Sequence, residues 1–261
     1  MRTSRLVTRA LAAALVSASS LAACGSTGTN GVAGKPTGQI ITTAEAAVAG
    51  ADSVHVQGDL GSGANLIHLD MRLVKGKGAS GTVVIDNQTI ELLRVGQDVY
   101  VKGDAKFYLS VINGLGATPA PSGSPSPSAT GSATPTAPAS TAPGDVTLKA
   151  MQGNFLHIGP SDTSYQVYAS LTDAKSLVDQ ILTNTGSLSK DGQKDIRGSK
   201  TLVLNGSTGN SRVYVGIDGP AYLLRVLPAG GGTLDFLDYG SPVALNAPPA
   251  NQVVEIGKIP K

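Results

Sequence analysis

Apolar and polar residues alternate along several short segments of the chain. In the segment LIHLDMRLV, Ile67, Leu69, Met71 and Leu73 occupy every second position, and charged or polar residues stand between them. Successive side chains of a β-strand point to opposite faces of a sheet, so this pattern predicts a strand with one buried face. Similar segments separated by Gly, Asn and Asp turn signals predict further antiparallel strands, namely SVHVQGDL, GTVVID, TIELLRV, DVYVKG, KTLVLNG, RVYVGID, AYLLRVL and TLDFLDYG.

Apolar residues at helical spacing occur in the segment LTDAKSLVDQILTNTG. Leu177 and Ile181 lie one helical turn apart on its apolar stripe, Thr172 or Asp173 is a candidate N-cap, and Gly186 lies just beyond its end. A shorter Ala-rich segment, TTAEAAVAGAD, predicts another helix before the first strand. The order of helix, strands, helix and strands indicates an α+β fold, in which a few helices pack on one face of an antiparallel sheet.

The first 23 residues have the pattern of a secretory signal. The segment MRTSRLVTR carries three arginines and no acid, and residues 10–23 are uncharged and mostly apolar or small. This apolar run is too short to cross a bilayer comfortably, because a membrane-spanning helix needs roughly 20 apolar residues. We therefore expect residues 1–23 to be a signal peptide.

The signal ends in Leu21, Ala22, Ala23 and Cys24, which resemble a bacterial lipobox. A thiol is nucleophilic enough to accept a diacylglyceryl group, and small residues before it let a signal peptidase approach the backbone. Cleavage would leave Cys24 as an acylated N-terminus, so we expect a protein anchored by lipid on the extracytoplasmic face of the cell membrane. The alternative is that Cys24 is an ordinary apolar residue of the signal and that cleavage occurs elsewhere.

The charge of the mature chain differs from that of the precursor. The whole chain has 20 basic and 18 acidic residues and a net charge of +2. Without residues 1–23 it loses three arginines and no acid, which leaves 17 basic against 18 acidic residues and a charge of −1. Since a nucleic-acid-binding protein keeps a basic face, we expect no nucleic-acid partner. Acylation of Cys24, which is the only cysteine, leaves no thiol for a disulfide or a thiolate metal site.

Two segments lack the large apolar residues that a core requires. Residues 24–38 are rich in Gly, Thr and Ser and predict a flexible tether, whereas residues 117–144 contain only Ala, Thr, Pro, Ser and Gly. Strand patterns flank the second segment on both sides. We therefore expect one lipoprotein domain at 39–257, interrupted by a disordered insertion at 117–144. A linker between two domains is the alternative, and O-glycosylation of the Ser/Thr-Pro run is a further hypothesis.

Several segments resemble the actinobacterial LppX/LprG-type (LppX_LprAFG) lipoproteins, especially their Streptomyces-like members. They are the lipobox, SVHVQGDL, GQDVYVKG, GSKTLVLNG, RVYVGIDGPAYLLRVLP and LDFLDYGSPVALNAPPANQVVE. The resemblance covers most of residues 40–257 and implies a LolA-like half-open antiparallel barrel, with helices on its concave side and a lipid or glycolipid in an apolar cavity. The insertion at 117–144 and the extra Leu237 between Phe236 and Asp238 depart from the family pattern.

The sequence contains no pattern typical of catalysis or of cofactor binding. It has no G-x-S-x-G, H-E-x-x-H or Walker segment, and His55, His68 and His157 stand far apart. His55 and His68 occupy the polar phase of two neighbouring predicted strands. Asp235 and Asp238 are three residues apart, which on a strand places them on opposite faces and argues against a joint acid–base role. We expect neither an enzyme nor a metal site nor a cofactor.

Two functions remain open from the sequence. The first is carriage of a lipid or glycolipid in an apolar cavity, whose candidate lining is Ile67, Leu69, Met71, Leu73, Leu177 and Ile181. The second is a structural or interaction lipoprotein with a fully packed core, which presents a surface to a protein partner in the cell envelope. The filling of the core distinguishes them, because a carrier needs apolar positions that its own side chains do not fill.

Overall fold

The computed structural model describes residues 29–63, 66–116 and 148–255, and for residues 112–116 it describes the backbone alone. The predictions for the signal peptide, for Cys24 and for the insertion at 117–144 fall on residues outside these ranges.

A single antiparallel sheet organises the described residues. Its order is β12-β6-β5-β4-β3-β2-β1-β11-β10-β9-β8-β7, and only the outermost pair, β6 with β12, is parallel. The sheet does not close on itself, since β7 and β12 form its two edges. The strands are β1 (Ser53–Leu60), β2 (Ile67–Val74), β3 (Gly78–Ile85), β4 (Gln88–Val95), β5 (Asp98–Lys102), β6 (Phe155–Ile158), β7 (Leu188–Ile196), β8 (Ser199–Gly206), β9 (Arg212–Gly216), β10 (Leu223–Leu227), β11 (Gly232–Leu237) and β12 (Val253–Glu255).

Four α-helices accompany the sheet in the described ranges. They are α1 (Thr37–Gly50), α2 (Ala105–Gly116), α3 (Tyr165–Leu171) and α4 (Ala174–Thr183), and residues 148–151 are also helical. The sheet with its few helices confirms the predicted α+β class.

The N-termini of two helices show how far capping follows from sequence. The Asp173 side chain accepts a hydrogen bond from the Ser176 N–H at 2.8 Å, so the predicted cap of α4 is present. Thr42 and Thr43, the candidate N-caps that open the predicted helical segment TTAEAAVAGAD, do not cap α1. The helix begins five residues earlier than Thr42, and both threonine hydroxyls donate to carbonyls one turn back, at Gly38 and Gln39.

The apolar face of the sheet is continuous from strand to strand. Leu69, Met71 and Leu73 of β2 are at most 2% exposed, and the register sets them opposite Val83, Gly81 and Ala79 of β3. Because apolar side chains recur at every second position, neighbouring strands present them on the same face. The same face continues through the buried pairs Val56–Phe236, Leu92–Val101, Leu202–Val215 and Leu204–Val213.

The helices cover this apolar face. Ile40, Ala44 and Val48 follow a four-residue spacing along α1 and are buried, as are Leu177 and Ile181 of α4. They belong to the same core cluster as the inward row of the strands. Burial of one such Leu or Ile side chain stabilises the fold by roughly 1.5–3 kcal/mol, so the contact between helices and sheet contributes substantially to stability.

The beginning of the described chain is attached to the sheet. Thr29 forms an isolated bridge with Asp218, and the Asn30 N–H donates to the Ile217 carbonyl at 2.7 Å. The Asn30 side chain donates to the Gly216 carbonyl, and Val32 is 1% exposed. The structure thus differs from the predicted tether at 24–38, since residues 29–38 are held on the domain by partners distant in sequence.

Gly81 of β3 lies where the sheet has no space for a side chain. A Cβ at this position would overlap the Asp70 carbonyl oxygen and come within 2.7 Å of the Met71 Cα. A Cβ at Gly159, by contrast, would meet no heavy atom within 4 Å beyond its own chain neighbours, and Gly159 has an ordinary φ.

We expect Gly81→Ala to lower the free energy of unfolding by ~2 kcal/mol, because β2 and β3 must move apart to accommodate the methyl group. Gly159→Ala is the matched control and should change it by less than about 0.5 kcal/mol. Urea unfolding of the two variants measures both values. Equal stabilities of the two variants would contradict the close approach of β2 and β3.

Candidate functional site

A cleft of about 580 Å³ lies beside α1 and α4, next to the start of β7. The cleft forms because Ile40 of α1 is buried against the core, so that Ile41 and Glu45 lie along the side of the helix that borders the cleft. Thr185 and Gly186, which follow α4, also line it. The lining residues are Thr37, Gly38, Ile41, Glu45, Asp179, Leu182, Thr183, Thr185, Gly186 and Leu188.

The cleft has an apolar part and an acidic part. Ile41, Leu182 and Leu188 supply its apolar surface, while Glu45 and Asp179 supply two carboxylates. Partial burial raises the pKa of Glu45, and the nearby negative charge of Asp179 raises it further against the opposing effect of Lys175. Asp179 Oδ2 is paired with the Lys175 Nζ. The cleft therefore offers carboxylate hydrogen-bond acceptors beside an apolar surface.

The six residues predicted to line a lipid cavity lie together in the core. Leu69, Met71, Leu73, Leu177 and Ile181 are between 0% and 6% exposed, and Ile67 packs against the same cluster while partly exposed. None of them lines the 580 Å³ cleft. Leu73 lines a smaller cleft of about 200 Å³ between the end of α1 and the start of α4. The predicted lining residues thus belong to one packed core cluster.

Sequence reasoning missed the apolar residues of the cleft for a physical reason. Leu182 belongs to the predicted apolar stripe of α4, but Ile41 lies beside the stripe of α1 and Leu188 begins a strand without apolar alternation. An isoleucine next to the buried Ile40, in a helix of mostly small residues, is the one signal for the cleft that the sequence contains.

A second cleft, of about 440 Å³, lies where β12 joins the sheet and contains His157. The His157 Nδ1 is 2.9 Å from Glu255 Oε2, and its Nε2 is 2.9 Å from Asp98 Oδ1. The ring also stacks on Tyr100, with 5.2 Å between ring centroids. Both ring nitrogens face carboxylate oxygens, so only the protonated imidazolium donates both hydrogen bonds.

Each remaining histidine has a carboxylate neighbour on the outer face of the sheet. His55 Nε2 is 2.8 Å from Asp70 Oδ1, and His68 Nδ1 is 2.9 Å from Asp59 Oδ1. His55 stands opposite Arg72 rather than His68, so the two histidines do not face each other. In the described ranges, no group of three or more His, Cys, Asp or Glu side chains has an arrangement that would hold a metal ion.

The predicted separation of Asp235 and Asp238 on opposite faces is wrong. The strand ends at Leu237, and Asp238 adopts the left-handed conformation with φ 48°, so the alternation stops there. Its carboxylate lies 3.4 Å from His55 Nδ1 on the outer face, to which Asp235 also points. A joint acid–base role still has no support, because Asp235 is bound by two arginines.

Those arginines determine the charge state of Asp235. Arg225 contacts it through two nitrogens at 2.7 and 2.8 Å, and Arg197 Nη1 lies 2.6 Å from Oδ1. Burial raises the pKa of Asp235, but the hydrogen bonds and charges of the two arginines outweigh burial and lower it overall. The group is a structural carboxylate that connects β10, β11 and the β7–β8 turn.

Comparison with models of protein families and with curated proteins found no match. Similar solved structures include LprF from Mycobacterium bovis, at 14% identity over 80% of this chain and 95% of that one, with a TM-score of 0.47. Lipoprotein LppX from Mycobacterium tuberculosis is 16% identical over 81% of this chain and 100% of that one, with a TM-score of 0.44. A LolA superfamily protein from Nitrosomonas europaea is 10% identical over 81% and 94%, with a TM-score of 0.22.

The structural neighbours thus include LppX, a lipoprotein of the kind that the sequence resembles, together with LprF and a LolA-like protein. The TM-scores lie below 0.5, and the fold given above rests on the strand order and register of this chain itself. A Streptomyces-like origin stays a prediction. No helix in the described part of the chain has both the length and the apolar character needed to cross a bilayer.

The His157 cluster predicts a pH-dependent stability. Burial lowers the pKa of His157, but its hydrogen bonds to Glu255 and Asp98 outweigh burial and raise it overall. A histidine whose pKa is raised by folding stabilises the fold fully below its unfolded value, about 6.5, and the stabilisation is lost as the pH rises through the folded-state value. We expect the stability difference between wild type and His157→Gln to be larger near about pH 5.5 than near about pH 8.5.

Urea unfolding at the two pH values measures this difference. Glu255→Gln serves as the control, because it removes one acceptor and should lower the NMR titration midpoint of His157. A stability gap that stays constant or widens with rising pH would contradict the arrangement.

Proposed function

We propose that this protein is a membrane-anchored extracytoplasmic lipoprotein that binds and carries a lipid or glycolipid, with an acyl chain in the cleft between α1 and α4. The observation that carries the proposal is the cleft itself. Its volume of about 580 Å³ falls within the range of roughly 300–1,000 Å³ typical of small-molecule sites. Its lining also combines the apolar side chains of Ile41, Leu182 and Leu188 with polar groups, which suits an amphipathic ligand.

The apolar surface of the cleft is connected to the core. Leu182 lines the cleft and also belongs to the core cluster, next to Ile181 and Leu177. An acyl chain in the cleft would therefore extend the apolar packing of α4 outward. Each buried CH₂ group is worth ~0.8 kcal/mol, so eight of them would contribute about 6 kcal/mol before ordering costs. Deeper entry would require α4, a helix of 10 residues, to move away from the sheet.

The rim of the cleft favours a neutral, hydroxyl-rich headgroup. Glu45 and Asp179 are carboxylates, the second of them paired with Lys175, and Thr37 and Thr183 add hydroxyl oxygens. Carboxylates accept hydrogen bonds from sugar hydroxyls but repel phosphate. Among lipids with the same acyl chains, the rim thus supports a glycolipid over an anionic phospholipid.

The second candidate function is an interaction lipoprotein that presents a surface to a cell-envelope protein. The observation that favours it is the packing of the inner row, where Leu69, Met71 and Leu177 are at most 2% exposed. Such packing needs no ligand to complete the core. The two functions differ in whether the cleft binds a lipid.

Native mass spectrometry of the mature chain carrying Cys24→Ser tests the proposal with two probes, a diacyl glycolipid and phosphatidylglycerol. We expect a glycolipid adduct that is stronger than the phosphatidylglycerol adduct. Ile41→Trp fills the cleft and should weaken glycolipid binding about tenfold, equivalent to ~1.4 kcal/mol. Its effect on stability should be small, since Ile41 is only partly buried.

Val167→Trp is the matched control, because Val167 is 63% exposed on α3 and lies outside the cleft. It should bind the glycolipid like the parent chain. Absence of any adduct with both probes, in a protein that also takes up no fluorescent fatty-acyl probe, would leave the interaction function instead.

The anchor is tested separately at Cys24. Dual acylation gives a stable anchor, whereas a single chain gives only marginal binding to membranes. We expect the mature protein to sediment with membranes and to carry acyl chains on Cys24, and Cys24→Ala to be released or to accumulate as precursor. Ser26→Ala is the control and should behave like the parent. Unchanged processing and membrane retention of Cys24→Ala would contradict the lipobox.

A further inference from the structure

The attached N-terminal segment defines which ends of the strands lie close to the proposed lipid anchor at Cys24. Thr29 and Asn30 bind the chain at Ile217 and Asp218, just after β9. The register places the end of β9, the start of β8 and the start of β10 at the same edge, because Thr201 stands opposite Gly216 and Val215 opposite Leu223. We call this end of the strands, formed by residues 196–200 and 216–224, the anchor edge, as distinct from the edge strands β7 and β12.

The chain between the anchor and this edge is short. Only residues 25–28 separate Cys24 from Thr29. A fully extended chain spans at most 3.3–3.6 Å per residue, so Thr29 lies within ~17 Å of Cys24. The headgroup layer on one side of a bilayer is about 5–8 Å thick. If the acyl chains on Cys24 lie in the hydrocarbon core of the bilayer, this short connection keeps the anchor edge close to the lipid surface.

The composition of the anchor edge suits a headgroup layer. A cleft of about 290 Å³ at this edge is lined by Lys200, Pro220, Tyr222 and Leu224, among others. The Tyr222 ring stacks on Tyr239, with 3.8 Å between ring centroids. Tyrosine has an apolar ring and a polar hydroxyl, and it is enriched where proteins meet the interface between membrane and water.

The charges at the anchor edge are mixed. Lys200 and Asp218 are both exposed, Arg197 is paired with Asp235, and the exposed Lys194 and Asp195 directly precede the edge. This balance gives no strong attraction to an anionic surface. The short connection to Cys24, together with Pro220 and Tyr222, is therefore the cause of the contact, which should depend little on salt.

We propose that the anchor edge docks on the headgroup layer of the membrane that holds Cys24. The proposal rests on the anchoring given under the proposed function and adds an orientation to it. In this orientation, strands β7 and β8 extend from the anchor edge away from the membrane. The lipid-binding cleft lies at their other end, because Leu188 opposes Gly206 there, roughly 25 Å from the anchor edge at about 3.3 Å per residue. The mouth of the cleft thus faces away from the lipid surface.

Depth-dependent fluorescence quenching tests this orientation in the full acylated protein. Cys24 is the only cysteine, and its thiol is consumed by acylation, so one introduced cysteine accepts a bimane label. Ser199→Cys places the label on the anchor edge with a nearly isosteric change at an exposed position. Asn210→Cys is the matched control, exposed in the turn after the other end of β8. The vesicles contain phosphatidylcholine with a fraction of headgroup-nitroxide phosphatidylcholine as quencher.

We expect most of the fluorescence to be lost at Ser199→Cys and little at Asn210→Cys, because the two positions differ by roughly 25 Å along the strands. Raising the salt concentration should leave this difference unchanged. A Gly/Ser insertion of about ten residues after Ser26 lengthens the reach by ~35 Å, and it should bring the quenching at Ser199→Cys down to the control value.

Each opposing result has a distinct meaning. Equal quenching at the two positions in vesicle-bound protein, or stronger quenching at Asn210→Cys, would overturn the orientation while leaving the anchor intact. Quenching at Ser199→Cys that is unchanged by the insertion would overturn the role of the short connection. Protein that fails to float with vesicles would instead overturn the anchoring at Cys24 itself.

Discussion

The structure depends on covering one apolar face of an open sheet of twelve strands. Most strands contribute two or three inward apolar side chains, and a sheet that is not closed into a barrel leaves them exposed unless another layer covers them. The helices α1 and α4 supply much of that layer through Ile40, Val48, Leu177 and Ile181. The candidate cleft lies beside this layer, along the flanks of the two helices.

The outer face follows a different rule. Its polar side chains are arranged in pairs across neighbouring strands, as in His55 with Asp70, His68 with Asp59 and Arg225 with Asp235. Of these, the exposed pair of His68 with Asp59 contributes little stability, about 0–1 kcal/mol, whereas His55 is buried and the Arg225–Asp235 pair is partly buried. These pairs help to define the register of the strands, because a shift of one residue would place both the paired side chains and the inward apolar side chains on the wrong face of the sheet.

The sequence predicted the parts of the fold that depend on local patterns. The segment SVHVQGDL coincides with β1, and most other predicted strands agree with the structure to within a few residues. Asp173 caps α4 as expected. By contrast, β7 carries exposed residues at seven successive positions and has no alternation to detect, so that its pairing with β8 became visible only in the structure.

The contacts that sequence did not predict are those between distant segments. Asn30 stands in a Gly/Thr-rich stretch typical of a tether, yet its partner is the carbonyl of Ile217. The cleft likewise joins Ile41 to Leu182 and Leu188, which share no motif. The inward row of β2 was correctly assigned to one apolar face. Whether that face meets a ligand or a helix is decided by packing rather than by periodicity.

The pairing of β1 with β11 has a consequence for how the chain folds. His55 and Asp238, near the ends of these strands, are 183 residues apart in sequence, whereas β1–β5 form successive hairpins. Pairings of such long range form late, because the entropy of closing the loop is lost before the contacts form. If the chain emerges N-terminus first, one edge of β1 stays unpaired until almost the whole chain has emerged, and unpaired edges promote aggregation. We therefore expect early folding, rather than the stability of the finished sheet, to limit the yield of this protein.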